Sequence, residues 1–210
     1  MSMLSNLDLI RRVPLFAMLT PAQAESLAGA VTKKRFKRGE FLVEQGKNCE
    51  SLFIILAGRA RVVVTDRRDR EVILATMHAG DYVGEMSLID QEPHSASVEA
   101  EVQTDALVLE GAEFTRCLLE NTSTVSAVMR GLVQRLRSAD RKIESLALMN
   151  VYGRVANVLM EAAPADENNV RIIRDKISRQ DIAKMVGASR EMVSRVMKDF
   201  EEQGFVETRE

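Results

Sequence analysis

Cysteine and histidine are scarce in this chain. Its 210 residues include two cysteines, Cys49 and Cys117, and two histidines, His78 and His94. Two separated cysteines do not form a disulfide framework, and this small set does not complete the usual ligands of zinc or iron–sulfur sites. We therefore expect no metal and no bound cofactor. Because a Ser-His-Asp or paired-Cys arrangement is also missing, we expect no enzyme.

Long apolar runs and a large net charge are missing too. No stretch approaches the roughly 18 apolar residues that a membrane span requires, and the first residues show no charged-then-apolar leader, so we expect a cytoplasmic protein without a membrane partner. The formal net charge is only −2, so the molecule as a whole does not attract nucleic acid. Residues 171–198, however, hold eight Lys and Arg against three Asp and Glu. Any DNA-binding surface is therefore expected to be local.

The first half of the sequence contains short helices and then short strands. Residues 6–30 have apolar positions at helical spacing, with Thr20 as a helix N-cap before Pro21. Six β-rich runs separated by glycines follow, which predicts an antiparallel sandwich or barrel. In the run 97–102, Val98, Ala100 and Val102 alternate with polar residues as in a half-buried strand. The six runs are 40–44, 52–56, 60–65, 72–77, 97–102 and 106–109.

A heptad pattern follows the β-rich region. Apolar or small residues recur at alternating spacings of four and three, as in the a/d seam of a coiled coil. The pattern predicts a long helix that forms a parallel homodimer; the alternative is a helix packed on its own β domain. The seam consists of Val125, Met129, Leu132, Leu136, Ala139, Ile143 and Leu146.

The last part of the chain has the pattern of a helix-turn-helix. A further helix runs through Met160, residues 164–169 form a polar turn, and residues 170–173 form a short strand. A helix then starts at Ser178 and is closed by Gly187, and a second helix is capped by Ser189. The second helix buries Met192, Val193, Val196 and Met197 on one face.

The second helix exposes side chains that suit base recognition. Arg190, Glu191 and Arg195 escape its apolar face; arginine binds guanine with two hydrogen bonds, and glutamate accepts from the cytosine amino group. The alternative is a solvated charged face in a helix pair that binds protein. The full set of candidate DNA-binding residues is Arg179, Gln180, Ser189, Arg190, Glu191, Ser194 and Arg195.

The run from Arg179 to Arg195 resembles the signature of the Crp/Fnr superfamily, in particular the branch of the catabolite activator protein. The resemblance implies an α+β protein: an N-terminal cyclic-nucleotide-binding β-roll of jelly-roll type (1–120), a dimerisation helix (121–150) and a C-terminal winged helix-turn-helix (151–210). It also implies TGTGA-type half-sites in double-stranded DNA and RNA polymerase as a partner. Family members continue into a two-stranded wing, so the wing either lies outside this sequence or is absent.

The segment 80–98 resembles the phosphate-binding cassette of cyclic-nucleotide domains. Gly84 would let the backbone approach a ligand, and the amides of the short helix that starts there would bind phosphate. Glu85 would face a ribose hydroxyl, and Ser95 would donate to a phosphate oxygen. The candidate cassette residues are Gly84, Glu85, Met86, Ser87, His94 and Ser95.

Two departures from the family bear on the effector. Cyclic-AMP binders place an arginine before the serine, where this chain has His94, and they carry Thr-Ser on the dimer helix, where it has Ala139-Asp140. Arg137, Asp140 and Arg141 are candidate guanine readers, which favours cyclic di-GMP over cyclic AMP; a solvated coiled-coil flank is the alternative for these three. A regulator without effector, and a nucleotide-binding module that acts through protein partners, also remain open.

Overall fold

The computed structural model describes residues 5–48, 50–163, 171–173 and 177–207. The chain divides into two compact units. The N-terminal unit comprises residues 1–70 and 74–134, and the C-terminal unit comprises residues 71–73 and 135–210. Among the described residues, none of the helices combines the length and the apolar character needed to cross a membrane.

The N-terminal unit begins with helices α1 (Asn6–Arg12) and α2 (Pro21–Ala30), which a short 3₁₀ segment at Pro14–Phe16 separates. The expected N-cap is confirmed. The Thr20 hydroxyl accepts from the Gln23 backbone amide, and the Gln23 side chain accepts in return from the Thr20 amide, which completes a capping box. This pairing fixes the start of α2.

Eight strands form two four-stranded sheets in the described residues. Six of the strands are those that the sequence predicts; β1 and β6 are additional. One sheet has the order β1-β8-β3-β6 and the other β2-β7-β4-β5. The strands are β1 (Val31–Phe36), β2 (Phe41–Val43), β3 (Ser51–Ala57), β4 (Ala60–Thr65), β5 (Glu71–Met77), β6 (Tyr82–Val83), β7 (Ser97–Ala100) and β8 (Thr104–Glu110).

The period-two alternation of the strands creates two cores. In β3 and β8, Ile55 and Ala106 face an apolar cluster shared with the second sheet, while Ile54 and Leu107 face a cluster formed with the helices. Helices α3 (Glu85–Asp90) and α4 (Gly111–Glu120) complete this unit. The expectation that Val102 is buried is wrong: β7 ends at Ala100, and Val102 is 40% exposed.

Helix α5 (Thr122–Leu148) spans 27 residues. Near its start, Thr124 and Val128 are buried, and Val128 and Leu132 pack on the helix-facing core of the N-terminal unit. The helix therefore does pack partly on its own β domain, as the alternative interpretation holds. Most of the predicted seam nevertheless lies on its exposed side.

Apart from the end of α5, the described residues of the C-terminal unit form three helices around one core. They are α6 (Val151–Ala162), α7 (Arg179–Val186) and α8 (Arg190–Glu202), and they enclose a cluster that includes Val155, Ile182 and Val193. The predicted turn 164–169 and Val170 lie outside the described residues. Within 171–173, only Arg171 forms a β-bridge, so the predicted strand is not seen there. No strand follows α8 within residues 203–207, so the described part of the chain shows a helix-turn-helix without a wing.

Candidate effector site and nucleic-acid interface

The segment that resembles a phosphate cassette starts at a glycine that its backbone requires. Gly84 lies at φ 98°, in the left-handed region, and caps the start of α3. The next residue, Glu85, is fully buried, Met86 is exposed and Ser87 is buried. The segment therefore alternates between side chains directed into the unit and side chains at its surface.

The His94 side chain is turned into the protein. Its ring Nδ1 shares a hydrogen bond of 3.2 Å with the Ser87 hydroxyl, and its backbone pairs with Gly46 and Lys47. Burial lowers the pKa of His94 below its usual 6.5. The imidazole is therefore neutral at pH 7 and supplies no fixed positive charge, whereas the adjacent Ser95 is exposed.

The candidate guanine readers lie on the exposed surface of α5. Arg137, Asp140 and Arg141 are all exposed, one turn of helix apart from first to last. Side chains three and four residues apart project from the same face of a helix, so Arg137 can approach both Asp140 and Arg141. The three residues form a compact polar group on this helix.

The predicted seam of α5 is largely exposed in the single chain. Val125 and Leu132 are half-buried against the N-terminal unit, while Met129, Leu136, Ala139, Ile143 and Leu146 are exposed. The exposed fractions of Met129, Leu136 and Ile143, seven residues apart in turn, are 61%, 62% and 64%. A regular apolar stripe of this kind is typical of a surface that another helix covers.

The helix-turn-helix forms through local capping. The Ser178 hydroxyl accepts from the Asp181 amide at 3.0 Å, and the Ser189 hydroxyl accepts from the Met192 amide at 3.2 Å. Gly187 ends α7 at φ 64°, a conformation that favours glycine. These three residues fix the turn between α7 and α8.

Helix α8 separates a buried face from a charged one. Val193, Val196 and Met197 are buried and Met192 is half-buried, whereas Arg190, Glu191 and Arg195 are exposed. The exposed side chains therefore project away from the core. Ser194 is half-buried, and Ser189 is exposed at the start of the helix.

Glu191 is held ready to accept hydrogen bonds. Its own backbone amide, and then the Ser189 hydroxyl, lower the pKa of this carboxyl. It is therefore ionised at neutral pH and acts purely as an acceptor. On α7, Gln180 is exposed, and Arg179 lies 3.9 Å from the Glu201 carboxylate on α8.

Comparison with known proteins gives two domain matches. Residues 33–121 match the cyclic nucleotide-binding domain, and residues 153–210 match the Crp-like helix-turn-helix domain. The cAMP-activated global transcriptional regulator Vfr of Pseudomonas aeruginosa is 33% identical over 180 residues, which cover 83% of this chain and 84% of Vfr. The chain belongs to the Crp/Fnr family.

Two further relatives agree with this assignment. The cAMP-activated global transcriptional regulator CRP of Salmonella typhimurium is 30% identical over 79% of this chain and 80% of its own length. The structure of the c-di-GMP responsive global regulator CLP of Xanthomonas campestris has a TM-score of 0.79 over 91% of this chain and 96% of CLP, at 22% identity, and shows the shared fold. As a Crp/Fnr member, the protein is a DNA-binding transcription regulator with a cyclic nucleotide-binding domain, and its relatives are regulators rather than enzymes.

The Crp/Fnr fold here includes a positioning residue that the sequence patterns did not reveal. Arg154 on α6 donates from Nε to the Val186 carbonyl and from Nη1 to the Met149 carbonyl, both at 3.0 Å. It therefore caps the end of α7 and the segment directly after α5 with one guanidinium. Its signal in the sequence is only an arginine in the first turn of a helix, where a cation is usually disfavoured.

Cys117 and His78 have ordinary environments, and Cys49 lies outside the described residues. Cys117 is buried, and burial raises the pKa of its thiol, so it is a core residue and a poor nucleophile. His78 is exposed at a turn. No group of three or more His, Cys, Asp or Glu in the described residues is arranged to hold a metal ion.

Proposed function

We propose that this Crp/Fnr member is an effector-responsive transcription factor that acts as a homodimer on TGTGA-type palindromic DNA. The observation that carries the proposal is the exposure of Arg190, Glu191 and Arg195 in the first half of a helix whose other face packs in the core of its unit. A helix pair that binds protein and exposes a solvated charged face would not require two arginines and a glutamate at these positions. Such a regulator acts in the cytoplasm, with RNA polymerase as its expected partner.

The chemistry of these side chains matches a TGTGA half-site. The two arginines each offer a planar fork that binds guanine O6 and N7, and the ionised Glu191 accepts from a cytosine amino group on the opposite strand. The remaining candidate residues are assigned to the phosphates of the DNA backbone and to neighbouring base edges; they are Arg179, Gln180, Ser189 and Ser194. Phosphate contacts of this kind position the helix without reading the sequence.

The exposed stripe on α5 supports the proposed homodimer. Met129, Leu136 and Ile143 repeat every seven residues, and a second copy of the same helix is complementary to this stripe by symmetry. Two recognition helices related by a dyad enter successive major grooves, so the half-sites should be centred about 34 Å apart.

We infer that the effector is a cyclic nucleotide and rank cyclic di-GMP before cyclic AMP. The neutral, inward-turned His94 stands where an arginine would balance the phosphate of cyclic AMP. Arg137 and Asp140 offer the donor and acceptor groups that guanine edges require. The names of Vfr and CRP point to cyclic AMP, so both nucleotides belong in the test.

The DNA-binding part is tested by fluorescence anisotropy with two labelled duplexes, one carrying the palindrome and one with both half-sites scrambled. We expect the palindrome to bind at least about a thousandfold more tightly in the presence of the effector. Equal binding to both duplexes would instead favour a nucleotide-binding module that acts through protein partners. A preference that is the same with and without nucleotide would identify a regulator without effector.

The effector part is tested by calorimetry with cyclic di-GMP and cyclic AMP. We expect Arg137→Ala and Asp140→Ala to abolish cyclic di-GMP binding without changing the fold, and Arg130→Ala, an exposed arginine on the same helix, to leave it intact. The protein should bind cyclic di-GMP with His94 in place, without a His94→Arg replacement. Micromolar or tighter binding of cyclic AMP together with no binding of cyclic di-GMP would contradict the assignment of Arg137 and Asp140.

A further inference from the structure

Gly131, in the middle of α5, is explained by a tertiary contact and not by the helical periodicity of the sequence. Gly131 lies in the interior of a long helix, where glycine is unfavourable compared with alanine. A Cβ atom at this position would lie 2.2 Å from the Tyr82 hydroxyl oxygen and 3.2 Å from Tyr82 Cζ. A Cβ at this position would therefore force the Tyr82 side chain or the helix to shift.

Tyr82 connects this contact to the cassette. It belongs to β6, pairs with Ile54 of β3 and comes two residues before Gly84. Its ring packs in the same apolar cluster as Val128 and Leu132 of α5. The strand that leads into the cassette and the helix that carries the predicted seam are therefore in direct contact within the N-terminal unit.

We propose that Tyr82 is a positioning residue that sets the distance between the cassette and α5, with Gly131 as the site where the helix receives it. A shift of the cassette moves Tyr82, and close packing leaves no space for the helix to stay in place. The inference rests on the proposed nucleotide response of this protein. It names the contact through which that response reaches the dimer helix.

The test uses four variants of the 210-residue chain: Gly131→Ala, Tyr82→Phe, the double variant and Gly29→Ala. Gly29 is the matched control, because it also lies in a helix and a Cβ there meets nothing within 4 Å. Tyr82→Phe removes the hydroxyl oxygen, and the nearest remaining atom to an alanine Cβ at position 131 is then at 3.2 Å, a tight but tolerable distance.

The main readout is the affinity for palindromic DNA without any nucleotide. We expect Gly131→Ala to change this affinity by at least about fivefold, the lower end of typical allosteric couplings. The double variant should return to within about twofold of Tyr82→Phe alone, and Gly29→Ala should match the wild type. We also expect the ratio between the DNA affinity with nucleotide and the DNA affinity without it to fall towards one in Gly131→Ala, and in no other variant.

The outcomes separate the inference from the proposed function. If Gly131→Ala keeps the nucleotide-free DNA affinity of the wild type, or if Tyr82→Phe does not rescue it, the positioning role is wrong. A lowered melting temperature with unchanged DNA affinity would assign Gly131 a packing role only, which also overturns the inference. If the wild type ignores every cyclic nucleotide while the nucleotide-free results hold, the effector proposal fails and the positioning contact stands.

Discussion

Replacing Ile143 by alanine should weaken the proposed homodimer by a calculable amount. Ile143 is 64% exposed in the single chain, so most of its side chain is available to be covered by a partner. Isoleucine to alanine removes about three methylene-sized groups, each worth about 0.8 kcal/mol when buried, so the exposed fraction corresponds to about 1.5 kcal/mol per copy. Symmetry places two copies in one interface, which gives about 3 kcal/mol, or roughly 150-fold weaker dimerisation.

Sedimentation equilibrium over a range of protein concentrations measures this change directly. Leu119→Ala is the matched control, because Leu119 is 84% exposed on α4 and does not belong to the seam. It should dimerise like the wild type. A dimer dissociation constant that Ile143→Ala leaves unchanged would place the interface on another surface and refute the seam assignment.

Three further predictions concern single side chains. Arg190→Ala should cost about 1–3 kcal/mol at the cognate site and relax discrimination at one base pair; an equal loss on all sequences would indicate a phosphate contact. Burial keeps the pKa of His94 in the folded protein below 6.5, so as pH falls the unfolded chain binds a proton before the folded protein does. The contribution of neutral His94 to the free energy of unfolding is therefore fully present above about pH 6.5 and is lost as pH falls. His94→Gln should remove that dependence in denaturant titrations between about pH 7 and 5, and an unchanged pH profile would contradict the assignment. Arg154→Lys should lower the free energy of unfolding by about 1–3 kcal/mol, because lysine has a single donor nitrogen where arginine uses Nε and Nη1 of a planar fork for two separate carbonyls; unchanged stability would show that the two bonds are dispensable.

Local rules predicted the features that depend on neighbouring residues. The caps at Thr20, Ser178 and Ser189 and the left-handed Gly187 each need only the next few residues, and all four appear as expected. The family assignment and the order of the domains also follow from contiguous patterns. Sequence reasoning therefore reached the fold class and the helix-turn-helix.

Features that depend on residues far apart in the sequence could not be predicted from local patterns. The segment that forms β1 contains Lys33, Lys34 and Arg35, which hide strand alternation, and it becomes a strand by pairing with β8. Strand β6 has only two residues, too few for a periodic signal. The sequence showed that His94 lacks a permanent charge, but its hydrogen bond to Ser87 depends on the fold.

Two residues outside the patterns bear on α5, one in its interior and one on the helix that follows it. Gly131 marks where the helix meets Tyr82 of the N-terminal unit, and Arg154 binds the Met149 carbonyl just after the helix ends. The same guanidinium holds the Val186 carbonyl of α7. Because its own hydrogen bonds resist bending, a continuous helix such as α5 would carry a displacement at Gly131 along its axis. On the proposed nucleotide response, we therefore expect the signal to reach α5 through Tyr82 and Gly131, a contact that lies wholly within the N-terminal unit.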